Sequence, residues 1–181
     1  MGADTSGPIR QLAYVVDDLD ASIDRWVRLH GVGPWTVFRN AAMRGSCRGE
    51  PTEVRMHVAL SYRDELQIEL IQSLSRTPSP YQHADGRPRR GMHHIAWHST
   101  DLDRDIADAK RRGLAPVFEA GNGVVRVADF EAPDESGPLY ELIEAVPAVL
   151  DGFADGCRQC ADWDGITAIA ADFDLGKPAS P

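Results

Sequence analysis

Two stretches of the chain are written to one template. Gln11-Leu12-Ala13-Tyr14, then Asp18-Leu19-Asp20 and Ile23, match His94-Ile95-Ala96-Trp97, then Asp101-Leu102-Asp103 and Ile106, each pair lying 83 positions apart. A second pair of segments follows: Leu66-Gln67-Ile68-Glu69-Leu70-Ile71 matches Pro138-Leu139-Tyr140-Glu141-Leu142-Ile143 at an offset of 72. The second copy is therefore shorter by 83 − 72, eleven residues, between its landmarks. A tandem duplication constrains the fold strongly, because each copy must bury its apolar face partly against the other around a pseudo-twofold axis.

Each copy predicts the element order βαβββ. In the first, Ile9 to Val16 has strand composition, Asp17-Asp18-Leu19-Asp20 supplies capping side chains, and a helix follows from Ala21 to His30 with Gly31 as its left-handed stop. Ile23, Trp26, Val27 and His30 fall on one helical face. Trp35 to Arg39 predicts a short strand, Asn40 to Thr52 a polar loop bordering a pocket, and Val54 to Tyr62 with Leu66 to Ser73 a hairpin. In the second copy, strands are expected at His93–Ser99, Pro116–Ala120, Val124–Phe130 and Leu139–Ala145, with a helix over Asp103–Arg112. The modules are thus 8–74 and 92–146, joined by a Pro-, Ser-, Arg- and Gly-rich linker at 75–91. The tail, 147–181, reads as helical to about Ala161 by the spacing of Val149, Leu150 and Phe153, then irregular.

Strand alternation decides which side chains meet. Gln11, Ala13 and Val15 share a face, as do His94, Ala96 and His98, and as do Gln67, Glu69 and Ile71 with their counterparts Leu139, Glu141 and Ile143. The opposite faces, with Tyr14 and Trp97, are apolar and expected under the helices. Taken singly, Gln11 could sit at a sheet edge, Glu69 and Glu141 on solvated faces, and His94 in a hydrogen-bonded core. Their recurrence at matched places in a duplication argues instead that they converge. An amide, an imidazole and two carboxylates suit a divalent cation that accepts N and O donors.

Composition narrows the partners. A formal charge of −9 on 181 residues disfavours a phosphate-binding surface, so nucleic acid is not expected. Neither a membrane span nor an amino-terminal signal segment is written in the sequence, and a cytoplasmic location is the default expectation. Three cysteines, Cys47, Cys157 and Cys160, cannot all pair and read as reduced thiols. Cys157 and Cys160 have half-zinc-site spacing without a second pair nearby.

Across residues 8 to 146 the chain resembles the vicinal oxygen chelate superfamily, which includes glyoxalase I, methylmalonyl-CoA epimerase, extradiol dioxygenases and bleomycin resistance proteins. The motifs that carry the resemblance are Gln11-x-Ala-x-Val-x-Asp-Asp-Leu-Asp, Gln67-Ile-Glu-Leu-Ile, Gly91-Met-His-His-Ile-Ala and Leu139-Tyr-Glu-Leu-Ile. The resemblance implies an α+β fold of two tandem βαβββ modules forming a curved mixed sheet around a metal site. It places Gln11, Glu69, His94 and Glu141 on the four ligand positions of one divalent ion per chain (Zn, Ni, Co, Mn or Mg). It also implies a homodimer. The expected activity is that of a metal-dependent isomerase, epimerase or lyase that moves a proton on the carbon next to a carbonyl or thioester of a small molecule, with Glu141 and Glu69 as catalytic carboxylates.

Arg90 matches a basic contact of glyoxalase I, and His98, on the His94 face, is a second candidate substrate contact. The glutathione contacts of that enzyme have no counterpart, their places being held by Val15 and Ser73, and the further acid of the epimerases is replaced by a region offering Arg55 and His57. Two alternatives stand beside this reading. One is a metal-free binding or resistance protein. The other is an Fe(II) extradiol dioxygenase, which needs two histidines and a carboxylate and would have to enlist His57, His93 or His98.

Overall fold

Strand parity builds the architecture. The computed structural model describes residues 7–176; residues 1–6, part of the stretch read above for a signal segment, and 177–181, the end of the tail, lie outside the described residues. The first module comprises β1 (Gln11–Val15), α1 (Leu19–His30), β2 (Trp35–Cys47), β3 (Glu50–Arg63) and β4 (Leu66–Ser73). The second comprises β5 (Gly91–Ser99), α2 (Leu102–Arg111), β6 (Ala115–Gly121), β7 (Arg126–Glu131) and β8 (Leu139–Glu144), and α3 (Pro147–Ala161) and β9 (Ile169–Asp174) follow. Both modules have the βαβββ order that the sequence predicts.

The strands run β3-β4-β1-β5-β8-β7-β6-β2, and β2 pairs with β3, so the curved sheet closes into a mixed barrel with β9 added on β2. The modules join where β1 lies antiparallel to β5, Gln11 opposite Ala96 and Ala13 opposite His94. They join again where Arg44–Cys47 of β2 pair with Phe118–Gly121 of β6. Alternation sends Ala13, Val15, Ile71, Ala96, Leu139 and Ile143 into the barrel, where they pack with Met43, Val54, Met56 and Phe118.

The helices cover the outside. Asp18 caps α1 by accepting from the Ala21 N–H at 2.9 Å, and Gly31 ends it at φ 58°. Leu19 and Ile23 of α1 are buried against Trp35, Val37, Ile68 and Leu70; a fully buried side chain of this kind contributes about 1.5–3 kcal/mol. Leu102, Ile106 and Ala109 of α2 pack on Ala128 and Phe130 of β7. Tyr14 and Trp97 lie on these outer faces as expected, half-buried rather than fully enclosed. Tyr14 packs on Trp26 of α1 at 5.2 Å between ring centroids, and Trp97 stacks on Tyr140 at 6.3 Å. No described helix is long and apolar enough to cross a membrane.

Two sequence expectations need correction. The segment Asn40–Thr52 is not a loop: β2 continues to Cys47 and turns at Arg48 and Gly49 into β3. Asn40 takes a positive φ of 56°, and the register with β3 shifts between Phe38 and Ala41. That irregularity resets the alternation, so Ala41 and Met43 point inward while the polar residues around them face out. The tail is not irregular after Ala161 either. β9 pairs in parallel with the first half of β2, Phe173 stacks on Phe38 at 5.6 Å, and Arg39 bridges Asp172 and Asp20.

Barrel closure leaves one position without room for a side chain. A Cβ on Gly45 would stand 2.0 Å from the Glu119 carbonyl oxygen and 2.6 Å from the Ala120 Cα, both backbone atoms. Gly45→Ala is therefore expected to force β2 from β6 and destabilise the fold by about 1–3 kcal/mol or more. A urea unfolding midpoint equal to that of the wild type would show that the closure is not as tight as described.

Candidate metal centre

The residues predicted as ligands arrive from four adjacent strands. Parallel pairing sets Ala13 of β1 beside Glu69 of β4 and Ala96 of β5 beside Glu141 of β8, the same relation in each module. Small alanines between the polar groups leave their side chains free to converge. His94 Nε2 lies 2.8 Å from Gln11 Oε1 and 3.3 Å from Glu69 Oε2, and His94 Nδ1 lies 3.6 Å from Glu141 Oε2. Gln11, His94 and Glu141 are buried, and the Glu69 side chain is 15% exposed.

A fifth group joins them. Asp129 of β7 lies directly across from Glu141, is 1% exposed, and with His94 and Glu141 offers ligand atoms within 4.8 Å of one another. One of its oxygens bonds the Glu141 carboxyl, and Oδ1 has no hydrogen-bond partner. The sequence comparison between copies does not find Asp129, because the corresponding place beside Glu69 holds Leu60. Strand alternation on β7 puts Asp129 on the inner face, but its register with Glu141 depends on the loop at 132–138, whose geometry is not written locally.

Two hydrogen-bond relays orient the donors. On one side, Gln67 donates to the Tyr62 hydroxyl and Gln11 Nε2 donates to Gln67 Oε1 at 2.6 Å, which leaves Gln11 Oε1 facing His94. On the other, His93 Nε2 stands 2.9 Å from the Pro80 carbonyl and His93 Nδ1 stands 2.8 Å from His94 Nδ1. Burial, reinforced by the neighbouring His94, pushes the His93 imidazole down to about 3, so it is neutral. A neutral His93 must donate Nε2–H to the carbonyl and accept at Nδ1, so His94 carries its proton on Nδ1. His94 Nε2 is then the ring nitrogen left to face the Gln11 and Glu69 oxygens. Such an arrangement calls for a cation, whether a proton or a metal ion, between them.

The electrostatics reinforce that need. Burial raises the Glu141 carboxyl well above its ordinary range, and the charges of Asp129 and Glu69 push it further. Burial also raises Asp129, against the attraction of His94. The chemistry of the cluster, two carboxylates and an imidazole nitrogen, and the unpartnered buried oxygen of Asp129 both fit a divalent ion held by His94, Asp129 and Glu141, with Gln11 and Glu69 against the Nε2 side of the same imidazole.

Other predicted residues lie apart. Arg90 is exposed and pairs with Asp17 at 2.7 Å, away from the ligand cluster. His98, on the inner face, is half-buried against Phe153 of α3 at 5.0 Å, and Phe153 also meets Tyr62 edge-on. α3 thus covers the barrel end near Gln11 and Gln67, while Tyr81 of the linker, bonded to Met56 Sδ and packed on His93, covers the other. Cys157 and Cys160 sit on α3 as free thiols.

His93 gives a pH signature. Its folded form resists protonation down to about 3 whereas the unfolded chain protonates near 6.5, so its contribution to stability is lost as pH falls through that window, by up to about 1.4 kcal/mol per unit. Glu141 and Asp129, raised in the fold, act with the opposite sign. In metal-free buffer, stability measured by urea unfolding from pH 7 to pH 4 should fall more steeply for the wild type than for His93→Gln. Parallel slopes would show that His93 is not neutral in the fold.

The comparisons with known proteins agree with this fold. The family model of the glyoxalase/bleomycin resistance protein/dioxygenase superfamily matches residues 10–129. A methylmalonyl-CoA epimerase from Mycobacterium tuberculosis is 18% identical, covers 83% of this chain and 96% of its own, and superposes with a TM-score of 0.55. A hypothetical protein from Bacillus halodurans C-125 is 20% identical over 77% of this chain and 94% of its own, with a TM-score of 0.53. A methylmalonyl-CoA epimerase in complex with methylmalonyl-CoA and NH4+ is 21% identical over 79% and 97%, with a TM-score of 0.50. No curated protein sequence matches the chain. With two thirds of its length matched by the family model and the paired-module barrel in place, the chain belongs to the glyoxalase/bleomycin resistance protein/dioxygenase superfamily.

Proposed function

We propose that the protein is a metal-dependent epimerase or isomerase that moves a proton at the carbon next to a carbonyl or thioester. The observation that carries this reading is the placement of two carboxylates on opposite sides of one imidazole, Glu69 by His94 Nε2 and Glu141 by Nδ1. With a substrate carbon held between them, such a pair would remove a proton from one face and return it to the other. A bound divalent ion would supply Lewis-acid polarisation of the substrate carbonyl oxygen. Similarity to two methylmalonyl-CoA epimerases supports a CoA thioester as the substrate class.

Each residue then has a task. Glu141 is the base: its carboxylate, enclosed beside Asp129 and Glu69, would take the proton, and a divalent ion in the site would offset the burial that otherwise raises its carboxyl. Glu69, with Leu60 rather than a carboxyl at its side, would return a proton on the opposite face, drawing it from solvent through its 15% exposed side chain. Gln11 and His94 are fixed by their relays and hold their donor atoms in place while the carboxylates exchange protons. Of the histidines a dioxygenase would enlist, His93 and His57 have ring nitrogens committed elsewhere, and His98 remains on the inner face against Phe153. Both ring nitrogens of His93 are engaged, and His57 Nδ1 accepts from the Asn40 N–H at 3.0 Å.

The test is solvent deuterium exchange at the acidic carbon of acyl-CoA thioesters with an α C–H. Glu141→Gln should lower exchange by at least about 10²-fold, while Glu69→Gln slows inversion more than exchange. Wild-type exchange rates in Glu141→Gln would place the base elsewhere. No exchange by the wild type on any thioester of the panel would remove thioesters as the substrate class.

A further inference from the structure

The two copies differ at the metal centre beyond the exchange of Gln11 for His94, and the further difference lies across from the two glutamates. Leu60 stands across from Glu69, and Asp129 stands across from Glu141. Asp129 is 1% exposed, belongs to the cluster with His94 and Glu141, and has an oxygen with no partner. A buried carboxylate oxygen left unpaired is costly, more so beside two other carboxylates, so a purely structural role for Asp129 would be destabilising. The apolar Leu60 shows that the same position in the other module is filled without a polar group.

We propose that Asp129 is a fifth protein donor to the metal and that it sets the metal preference of the site. With it, the donors are three carboxylates, one amide oxygen and one imidazole nitrogen. Oxygen-rich sets favour hard, six-coordinate ions of the Mn²⁺ or Mg²⁺ kind, whereas imidazole favours Zn²⁺ and Ni²⁺. Asp129 raises the negative charge opposing the ion from two to three and tilts the site toward the harder cation. The inference rests on the metal-dependent reading above and sharpens it to an ion class.

The test uses full-length protein stripped with chelator, titrated with Mn²⁺ and, separately, with Zn²⁺ by calorimetry, in the wild type, Asp129→Asn, Asp129→Leu and His94→Ala. Both Asp129 variants should lose about tenfold or more in Mn²⁺ affinity and less in Zn²⁺ affinity, so the ratio of Zn²⁺ to Mn²⁺ affinity rises. His94→Ala should move that ratio the other way. Asp129→Leu, which copies the Leu60 arrangement, should also melt no lower than the wild type without metal, as expected for a carboxylate kept for a ligand and not for packing. Equal Mn²⁺ affinity and an unchanged ratio in both Asp129 variants, with His94→Ala impaired, would overturn the role of Asp129 and leave the metal reading intact. A wild type that binds neither ion, or is indifferent to His94→Ala, would overturn both.

Discussion

Lone pairs and negative charge enclosed together govern the rest of this structure. The closed barrel brings the oxygens of Gln11, Glu69, Asp129 and Glu141 around the buried imidazole of His94. In a low-dielectric interior like charges at such distances are expensive unless a cation joins them. The barrel wall must therefore hold the groups against their own repulsion. It does so with backbone pairing on every side of each donor strand and with packing of Val15, Ile71, Leu139 and Ile143 above and below the cluster.

Hydrogen-bond direction adds what packing cannot. One relay ends on a group that can only accept, the Pro80 carbonyl behind His93, and the other on the Tyr62 hydroxyl, which accepts from Gln67. Tracing protons along them turns Gln11 Oε1 and His94 Nε2 toward each other. The linker between modules and the final turn of β3 thereby become part of the site, although neither contributes a donor. Closure of the barrel at Gly45 and the strand added by β9 serve the same purpose at a distance, fixing β2 and with it the wall opposite β1 and β5.

Much of this is legible in the sequence because duplication converts a weak signal into a correlated one. Gln11 and His94 are the same position of the template, and Glu69 and Glu141 another, so four unremarkable polar residues point to one place. Alternation then assigns Tyr14 and Trp97 to the helices' side. What is not legible breaks the template. Asp129 has Leu60 as its counterpart, so symmetry predicts an apolar residue there. The extension of β2 depends on the positive φ of Asn40, a local irregularity in a segment whose polar composition reads as loop. β9 exists through pairing with Trp35–Arg39, more than a hundred residues away, and no short-range pattern encodes such a partner.

That same asymmetry lets two similar carboxylates do different work. In a perfectly symmetric pair of modules Glu69 and Glu141 would have equal surroundings and equal proton affinity, and neither would be designated to take the proton first. Here Glu141 bonds a second carboxyl and its side chain is 9% exposed, while Glu69 faces Leu60 with its side chain 15% exposed. Environments that separate two acids in this way are what assign acid and base roles within one site. Under the proposed chemistry, the duplication supplies the two opposed faces that inversion at a carbon requires, and the departure from duplication at Asp129 supplies the direction.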